Sequence, residues 1–163
     1  MEEDSILHHV NIQFFFFSAV AIQDLKMIAF CRTPYPKHPR GCPNWNYKEG
    51  CPPQTKPFLN LYLPGVRVVI AQMDFGRYLT LKKQRHPDWT ERALRNPLHW
   101  QGHLRAKLNM YVSSLEIPPG FEIVDNPEAM GINIFETCHR ADFVLERNPT
   151  LFVCKIKFLA KPR

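Results

Sequence analysis

The sequence lacks an apolar run long enough to span a membrane. Its longest run, Phe14–Phe17 and Ala19–Ile22 around Ser18, covers nine residues, whereas a spanning helix needs about 20. The acidic start, Met1–Asp4, also lacks the basic residues of a secretory signal. These absences predict a cytoplasmic protein with no membrane association, and in that compartment clustered cysteines serve metal or redox chemistry more often than disulfides.

Several motifs that indicate a particular activity are missing as well. The chain has no Walker phosphate-binding loop, no Gly-x-Gly-x-x-Gly and no Gly-x-Ser-x-Gly, so the usual signatures of nucleotide binding and serine hydrolysis are absent. It has no internal repeat and no linker that would divide it. Its 163 residues, 45% hydrophobic and 22% charged, therefore predict a single globular domain, 1–163.

Acidic residues are the scarcer charged class, which gives a formal net charge of +6. A basic chain attracts anionic partners, here a small-molecule or nucleic-acid-borne anionic substrate. The alternative is a solvated surface with an excess of lysine and arginine, and a charge of this size leaves both interpretations open.

Apolar periodicity predicts an α/β fold, with α+β as the alternative, in which helices flank a small mixed sheet. Residues 12–20 suit a buried strand or a buried helical turn. We expect strands at 25–30, 66–74, 121–124 and 151–159, and helices at 78–85, 97–115 and 133–145.

Proline and cysteine are concentrated in one long stretch. Residues 31–65 hold eight of the fifteen prolines, so a helix or a central strand is not expected there. Within this stretch, the loop 31–57 carries three of the five cysteines: Cys31, Cys42 and Cys51. A polar loop of this length is uncommon in a compact domain unless something orders it, and a bound metal would do so.

The cysteines themselves favour metal binding over three free thiols, which would be prone to oxidation. Gly41 and Gly50 precede two of them and permit turns that aim both sulfurs inward. Proline follows both cysteines, as it does in iron–sulfur ligation. The spacing Cys-x10-Cys-x8-Cys, however, matches no zinc-finger or ferredoxin pattern.

Two segments carry a family resemblance: the first is Gly41-Cys-Pro-Asn-Trp followed by Gly50-Cys-Pro-Pro, and the second is Glu128-Ala-Met-Gly-Ile-Asn-Ile-Phe-Glu-Thr. Both resemble segments of a family of uncharacterised, cysteine-rich predicted metal-binding proteins of bacteria and archaea. Members have a similar turn and helix near their C-terminus. They often carry further cysteines before it, where this chain has Glu122–Pro127. The resemblance thus implies a metal loop formed by Cys31, Cys42 and Cys51, without the second cysteine set.

Two functions follow from these observations. In the first, the three cysteines hold a [4Fe–4S] cluster with one open coordination position, for redox or sulfur-handling chemistry. Arg32, Arg40 and Lys48 would then stabilise thiolates or hold an anionic substrate.

In the second, His38 completes a closed Cys3His zinc site. The module is then non-catalytic, and its basic helices bind nucleic acid or a protein partner. Arg92, Arg95, Arg105 and Lys107, with Trp89 and Trp100, form the basic aromatic region of those helices. Cys138 and Cys154 are expected to be core residues, and the alternative is that one of them folds back on the loop as the fourth ligand.

Overall fold

A computed structural model describes residues 6–34 and 37–163 of the chain. It contains a four-stranded sheet in the order β1-β2-β4-β3. The strands are β1, Ile12–Val20; β2, Tyr62–Asp74; β3, Glu122–Val124; and β4, Phe152–Pro162.

Short helices connect the strands. The α-helices are α1, Phe58–Leu61; α2, Phe75–Arg85; α3, Glu91–Leu94; α4, Gln101–Ser114; and α5, Ile134–His139. Three 3₁₀ helices cover Leu25–Arg32, Pro97–His99 and Pro127–Met130. Within the described part of the chain, no helix combines the length and apolar character needed to cross a membrane.

Neighbouring strands run antiparallel. Just beyond the two ends of β1, the Ala21 amide donates to the Pro64 carbonyl of β2, and the Asn11 carbonyl accepts from the Asp74 amide of β2. β3 pairs antiparallel with β4, with Val124 opposite Phe158. The predicted combination of helices and a small sheet is confirmed. The strand directions are antiparallel where a mixed sheet was expected, which corresponds to the α+β form of the prediction.

The chain divides into two compact units, each assembled from separate stretches. The first contains the described part of Met1–Phe15 with Val69–Leu115 and Glu146–Ile156. In it, α4 buries Leu104, Leu108 and Val112, whose spacing places them on one helix face. The rings of Phe75 and Tyr78 stack with centroids 5.6 Å apart.

The second unit contains Phe16–Val68, Glu116–Leu145 and Lys157–Arg163. Phe58 of α1 meets Phe158 of β4 edge to face, with ring centroids 6.0 Å apart. Thr137 and Cys138 of α5 are fully buried. All three cysteines of the loop 31–57 belong to this unit.

The strand predicted at 25–30 is wrong, because the segment forms the 3₁₀ helix Leu25–Arg32. The Asp24 side chain accepts a hydrogen bond from the Lys26 amide and caps its start. Local capping of this kind competes with strand pairing, and none of the eight residues is buried deeply enough to gain from a sheet.

Two further predictions need correction. β2 begins at Tyr62 and includes Pro64, although residues up to 65 were expected to lie outside central strands. Proline removes only the amide donor, and its carbonyl still accepts from Ala21. The helix expected over 133–145 stops at His139, because the chain turns at Asp142, whose φ is 61°.

Candidate metal-binding site

The segment that carries Cys31 is fixed by a close approach to the turn at Gly131. The Asp24 amide donates to the Gly131 carbonyl over 2.7 Å. Gly131 has φ +85°, and a Cβ atom added there would lie 2.9 Å from Cδ2 of Leu25. A side chain is therefore disfavoured both by the backbone conformation and by the neighbouring leucine.

Hydrogen bonds extend this contact into α5. The Asn133 amide donates to the Ile22 carbonyl over 2.8 Å, and the Ile22 amide donates to the Thr137 hydroxyl over 3.0 Å. The Asn133 side chain also caps α5 by accepting from the Glu136 amide. The segment 128–137 is thus joined directly to the chain that leads into Cys31.

Cys42 lies beside Cys31. Its amide donates to the Cys31 carbonyl over 2.7 Å. Gly41, with φ +86°, approaches so closely that an added Cβ would lie 2.6 Å from the Cys31 carbonyl oxygen and 2.6 Å from Cα of Arg32. Because both contacts are to backbone atoms, which cannot move aside cheaply, the two cysteines meet only when this position is glycine.

Cys51 is held in a turn of its own by backbone hydrogen bonds within the loop. Its amide donates to the Lys48 carbonyl over 3.0 Å, and the Asn46 amide donates to the Pro52 carbonyl over 2.8 Å. Gly50 has φ +80°, so the expected turns at both loop glycines are present. The loop is therefore ordered by its own turns to a greater degree than its polar composition predicts.

The thiols interact electrostatically. Burial raises the pKa of Cys31, and the neighbouring Cys42, Cys51 and Glu128 raise it further. Burial also raises the pKa of Cys51, with Lys48 acting in the opposite direction and Cys42 and Glu128 adding to the rise. The neighbouring thiols and the Glu128 carboxylate thus disfavour the thiolate forms of Cys31 and Cys51.

Thiolates suit soft and borderline metals such as zinc and the iron of iron–sulfur clusters, and a carboxylate is also a zinc ligand. These donor types are compatible with either cofactor. Among residues 6–34 and 37–163, however, no set of three or more histidine, cysteine, aspartate or glutamate side chains lies close enough together to hold a metal ion. The three-cysteine ligand set therefore stays a prediction.

His38 also stays a prediction. It is half-buried in the loop, and its carbonyl accepts a hydrogen bond from the Gly41 amide over 3.1 Å. This bond places its backbone one turn before Cys42. The preceding residue, Lys37, has φ 68°.

The three predicted cationic partners lie in different surroundings. The charge of Lys48 acts on Cys51, where it lowers the thiol pKa against the effect of burial. The Arg32 guanidinium lies over the Trp45 ring, 5.5 Å from its centroid. Arg40 is exposed. Lys48 is thus the cation whose charge contributes to the pKa of a loop thiol.

Glu128 acts on the pKa of two loop thiols, an effect that the sequence alone did not predict. It opens the second segment of the family resemblance, far from the cysteines in the chain. Its neighbours Pro127, Ala129 and Met130 are buried, whereas Glu128 is exposed. The sequence offered one indication of its exposure. A charged residue between apolar neighbours that are buried is expected to point away from the core.

The two cysteines outside the loop, Cys138 and Cys154, lie in different surroundings. Cys138 is fully buried in α5, as expected of a core residue. Cys154, in the first unit, accepts a weak hydrogen bond from Gln72 Nε2 over 3.7 Å. Burial is the main reason that the pKa of Cys154 is raised to about 11.

The basic aromatic region is occupied largely by internal packing. Arg95 donates to the Pro149 carbonyl and lies 5.5 Å from the centroid of the Phe75 ring. Trp100 also packs against Phe75, and Trp89 stacks on His86 with centroids 4.1 Å apart. Arg92 and Arg105 are exposed, so the surface keeps part of the expected charge without a free aromatic platform.

The chain matches no protein-family model, no curated protein and no solved structure.

Proposed function

We propose that this protein binds a metal cofactor through Cys31, Cys42 and Cys51, and that the cofactor is a [4Fe–4S] cluster. A cluster held in this way has a fourth iron position that no cysteine fills. When bound, it would supply an electron or a Lewis-acidic iron for redox or sulfur-handling chemistry. The family resemblance of the cysteine-rich segments points in the same direction.

The observation that carries the proposal is the close approach of two loop cysteines, Cys31 and Cys42, that are separated in sequence. Cys42 is joined to Cys31 by a backbone hydrogen bond of 2.7 Å. The thiols of Cys42 and Cys51 both act on the pKa of Cys31. Burial and neighbouring thiols raise the Cys31 pKa, and a bound cation would offset this effect.

The chain's own residues have defined tasks in this proposal. Gly41 permits the approach of the two cysteine backbones, and the turn at Gly50 presents Cys51. Lys48 offsets negative charge at Cys51, which favours the thiolate that a metal requires. Arg40 is exposed in the same loop and is available to an anionic substrate.

The alternative function is a structural zinc module whose basic helices bind nucleic acid or a protein partner. It is favoured by the exposed Arg92 and Arg105. The packing of Trp89 and Trp100 against neighbouring side chains argues against base stacking on these rings. We therefore place this function second.

Metal and acid-labile sulfide analysis of anaerobically purified protein separates the two. We expect iron and sulfide in comparable amounts, with both lost in Cys42→Ser and both retained in the matched control Cys154→Ala. Zinc without sulfide would overturn the cluster and support the module. A wild-type protein with neither metal, as isolated and after anaerobic reconstitution, would overturn both.

A further inference from the structure

The first unit contains a half-open pocket formed by the N-terminal turn (residues 6–10), β1 and α4. Its polar lining consists of His8, His103 and Lys107. We propose that this pocket binds a small amphipathic carboxylate, such as a short-chain fatty acid, through these three side chains. The proposal is independent of the metal site, because every described residue that lines the pocket belongs to the first unit and the loop cysteines belong to the second.

The N-terminal turn places one imidazole beside α4. The Val10 amide donates to the Leu7 carbonyl over 3.4 Å, and the side chains of both residues are buried. They anchor the turn, while His8 between them is exposed. The His8 ring meets the His103 ring of α4 edge to face, with centroids 5.9 Å apart. Two N–H donors from distant parts of the sequence therefore lie at the same pocket.

α4 contributes the ammonium group of the pocket. His103, Lys107 and Tyr111 are spaced four residues apart, so they follow one another along one side of the helix. Tyr111 stacks on Phe14 of β1 with ring centroids 4.5 Å apart, which fixes this side of the helix against the strand. Lys107 is half-buried, and in the described part of the chain no hydrogen bond or ion pair engages its ammonium group. A cation in the wall of a pocket without a counter-charge indicates a site for an anion.

The rest of the pocket lining is apolar. Ile12 and Phe14 lie on the same face of β1, because side chains two residues apart in a strand point the same way. Leu7 and Val10 of the turn complete this apolar lining. Inorganic phosphate would use only the polar side chains, whereas a carboxylate with a short alkyl chain would use both parts of the pocket.

The size and charge of the pocket limit the ligand further. The volume is about 230 Å³, below the range of about 300–1,000 Å³ that is typical of pockets for drug-sized molecules. Lys107 supplies one full positive charge, and an imidazole can donate an N–H whether it is neutral or cationic. One charge with two further donors matches a single carboxylate, and the net charge of +6 attracts anions to the protein.

NMR titration of the full-length protein tests the assignment. The imidazole resonances of His8 and His103, assigned by substitution, would be followed during addition of hexanoate. Hexanol serves as the neutral comparison, and inorganic phosphate as the anion without an apolar part. Lys107→Gln is compared with Lys107→Arg, which keeps the charge, and with Arg77→Gln, which removes an exposed charge elsewhere in the same unit. Cys42→Ser separates this site from the proposed metal site.

We expect millimolar hexanoate to shift both imidazole resonances, and Lys107→Gln to weaken binding by about 10-fold through loss of a charge-assisted hydrogen bond. Lys107→Arg, Arg77→Gln and Cys42→Ser should stay within about twofold of wild type. Each methylene added between acetate and hexanoate should tighten binding by up to about fourfold.

Three results would overturn the proposal. Hexanoate could leave the two imidazole resonances unchanged, hexanol or phosphate could bind as tightly as hexanoate, or Lys107→Gln and Arg77→Gln could lose equal affinity. A loss in Cys42→Ser would contradict the independence of this pocket from the metal site. Absence of metal from the wild-type protein would refute the proposed function and leave the pocket assignment unaffected.

Discussion

The cysteine loop and strand β2 are neighbours in sequence and are stabilised in different ways. β2 buries six of its thirteen residues, and Val68, Val69, Ile70 and Ala71 are fully shielded from solvent. In the described part of the loop, residues 31–34 and 37–57, only Gly41, Cys51 and Pro52 are buried. The strand is held by apolar burial, whereas the loop depends on backbone hydrogen bonds and on two glycine turns.

This difference bears on function. A polar segment fixed by turns can place ionisable side chains together in a way that a hydrophobic strand cannot, because burying unpaired charge in a core is costly. The loop gains little from the hydrophobic effect, so its order depends on its own turns and backbone hydrogen bonds, to which a bound metal would add. The four predictions below test each side of this contrast, beginning with the largest effect.

Truncation within β2 should have the largest effect on stability. Ile70 is fully buried, so Ile70→Ala should lower the free energy of unfolding by about 2–5 kcal/mol. Denaturant titration would measure the loss, and addition of a metal chelator should leave it unchanged. Ile123→Ala, at an exposed position on the edge strand β3, should cost under about 1 kcal/mol. Equal losses in the two variants would contradict the burial argument.

We expect the Cys154 thiol to lower the free energy of unfolding at alkaline pH. Its pKa is raised from 9.0 to about 11, so the unfolded chain releases this proton at a lower pH than the folded protein. The stabilisation is complete below pH 9 and is lost as pH rises toward 11, by about 2–3 kcal/mol. Under reducing conditions, we expect Cys154→Ala to lack this loss of stability. The difference between the unfolding free energies of the wild type and the variant should therefore change as the pH rises. Parallel pH profiles for the two proteins would refute the assignment.

The two loop glycines form a matched pair. Both have positive φ, but an added Cβ meets backbone within 2.6 Å at Gly41 and nothing within 4 Å at Gly50. Gly50→Ala should cost about 1 kcal/mol for the backbone conformation alone. Gly41→Ala should cost about 1–2 kcal/mol more, and it should also weaken metal binding. If the two variants unfold at the same denaturant concentration, the close backbone contact at Gly41 does not affect the stability of the protein.

A substitution in the turn before β4 should have the smallest effect on stability. The Glu146 carboxylate accepts from the amides of Thr150, Leu151 and Phe152, and these bonds lower its pKa. Its contribution is present above about pH 4.5 and is lost as pH falls through the lowered pKa. Since the carboxylate is solvent-accessible, Glu146→Gln should cost about 0.5–1 kcal/mol at pH 7. A loss that persists unchanged at pH 3 would indicate another cause.

The sequence predicts the strands more reliably than the segments between them. β2 and β4 are evident from β-branched and alternating residues, because these patterns report burial directly. The 3₁₀ helix at Leu25–Arg32 is missed, since its apolar residues suggest a strand and its capping by Asp24 is a local polar effect. The early end of α5 depends on one residue, Asp142, with positive φ, which periodicity cannot reveal.

The candidate site is predictable in part. The cysteines and the need for glycine at Gly41 follow from local sequence. The placement of Glu128 does not, because it depends on the packing of two 3₁₀ helices that are far apart in the chain. Long-range placement of an exposed carboxylate leaves no periodic signal, and the tertiary contact at Gly131 fixes the backbone of its segment.

Site-resolved thiol labelling tests the central claim most directly. Protein purified anaerobically would be treated with an alkylating reagent, with and without a strong chelator, and the modified cysteines would be located by mass spectrometry. We predict that Cys31, Cys42 and Cys51 are protected until the chelator is added and then react together, while Cys138 and Cys154 are unaffected by it. A labelling pattern that the chelator leaves unchanged at all three loop cysteines would contradict the metal site.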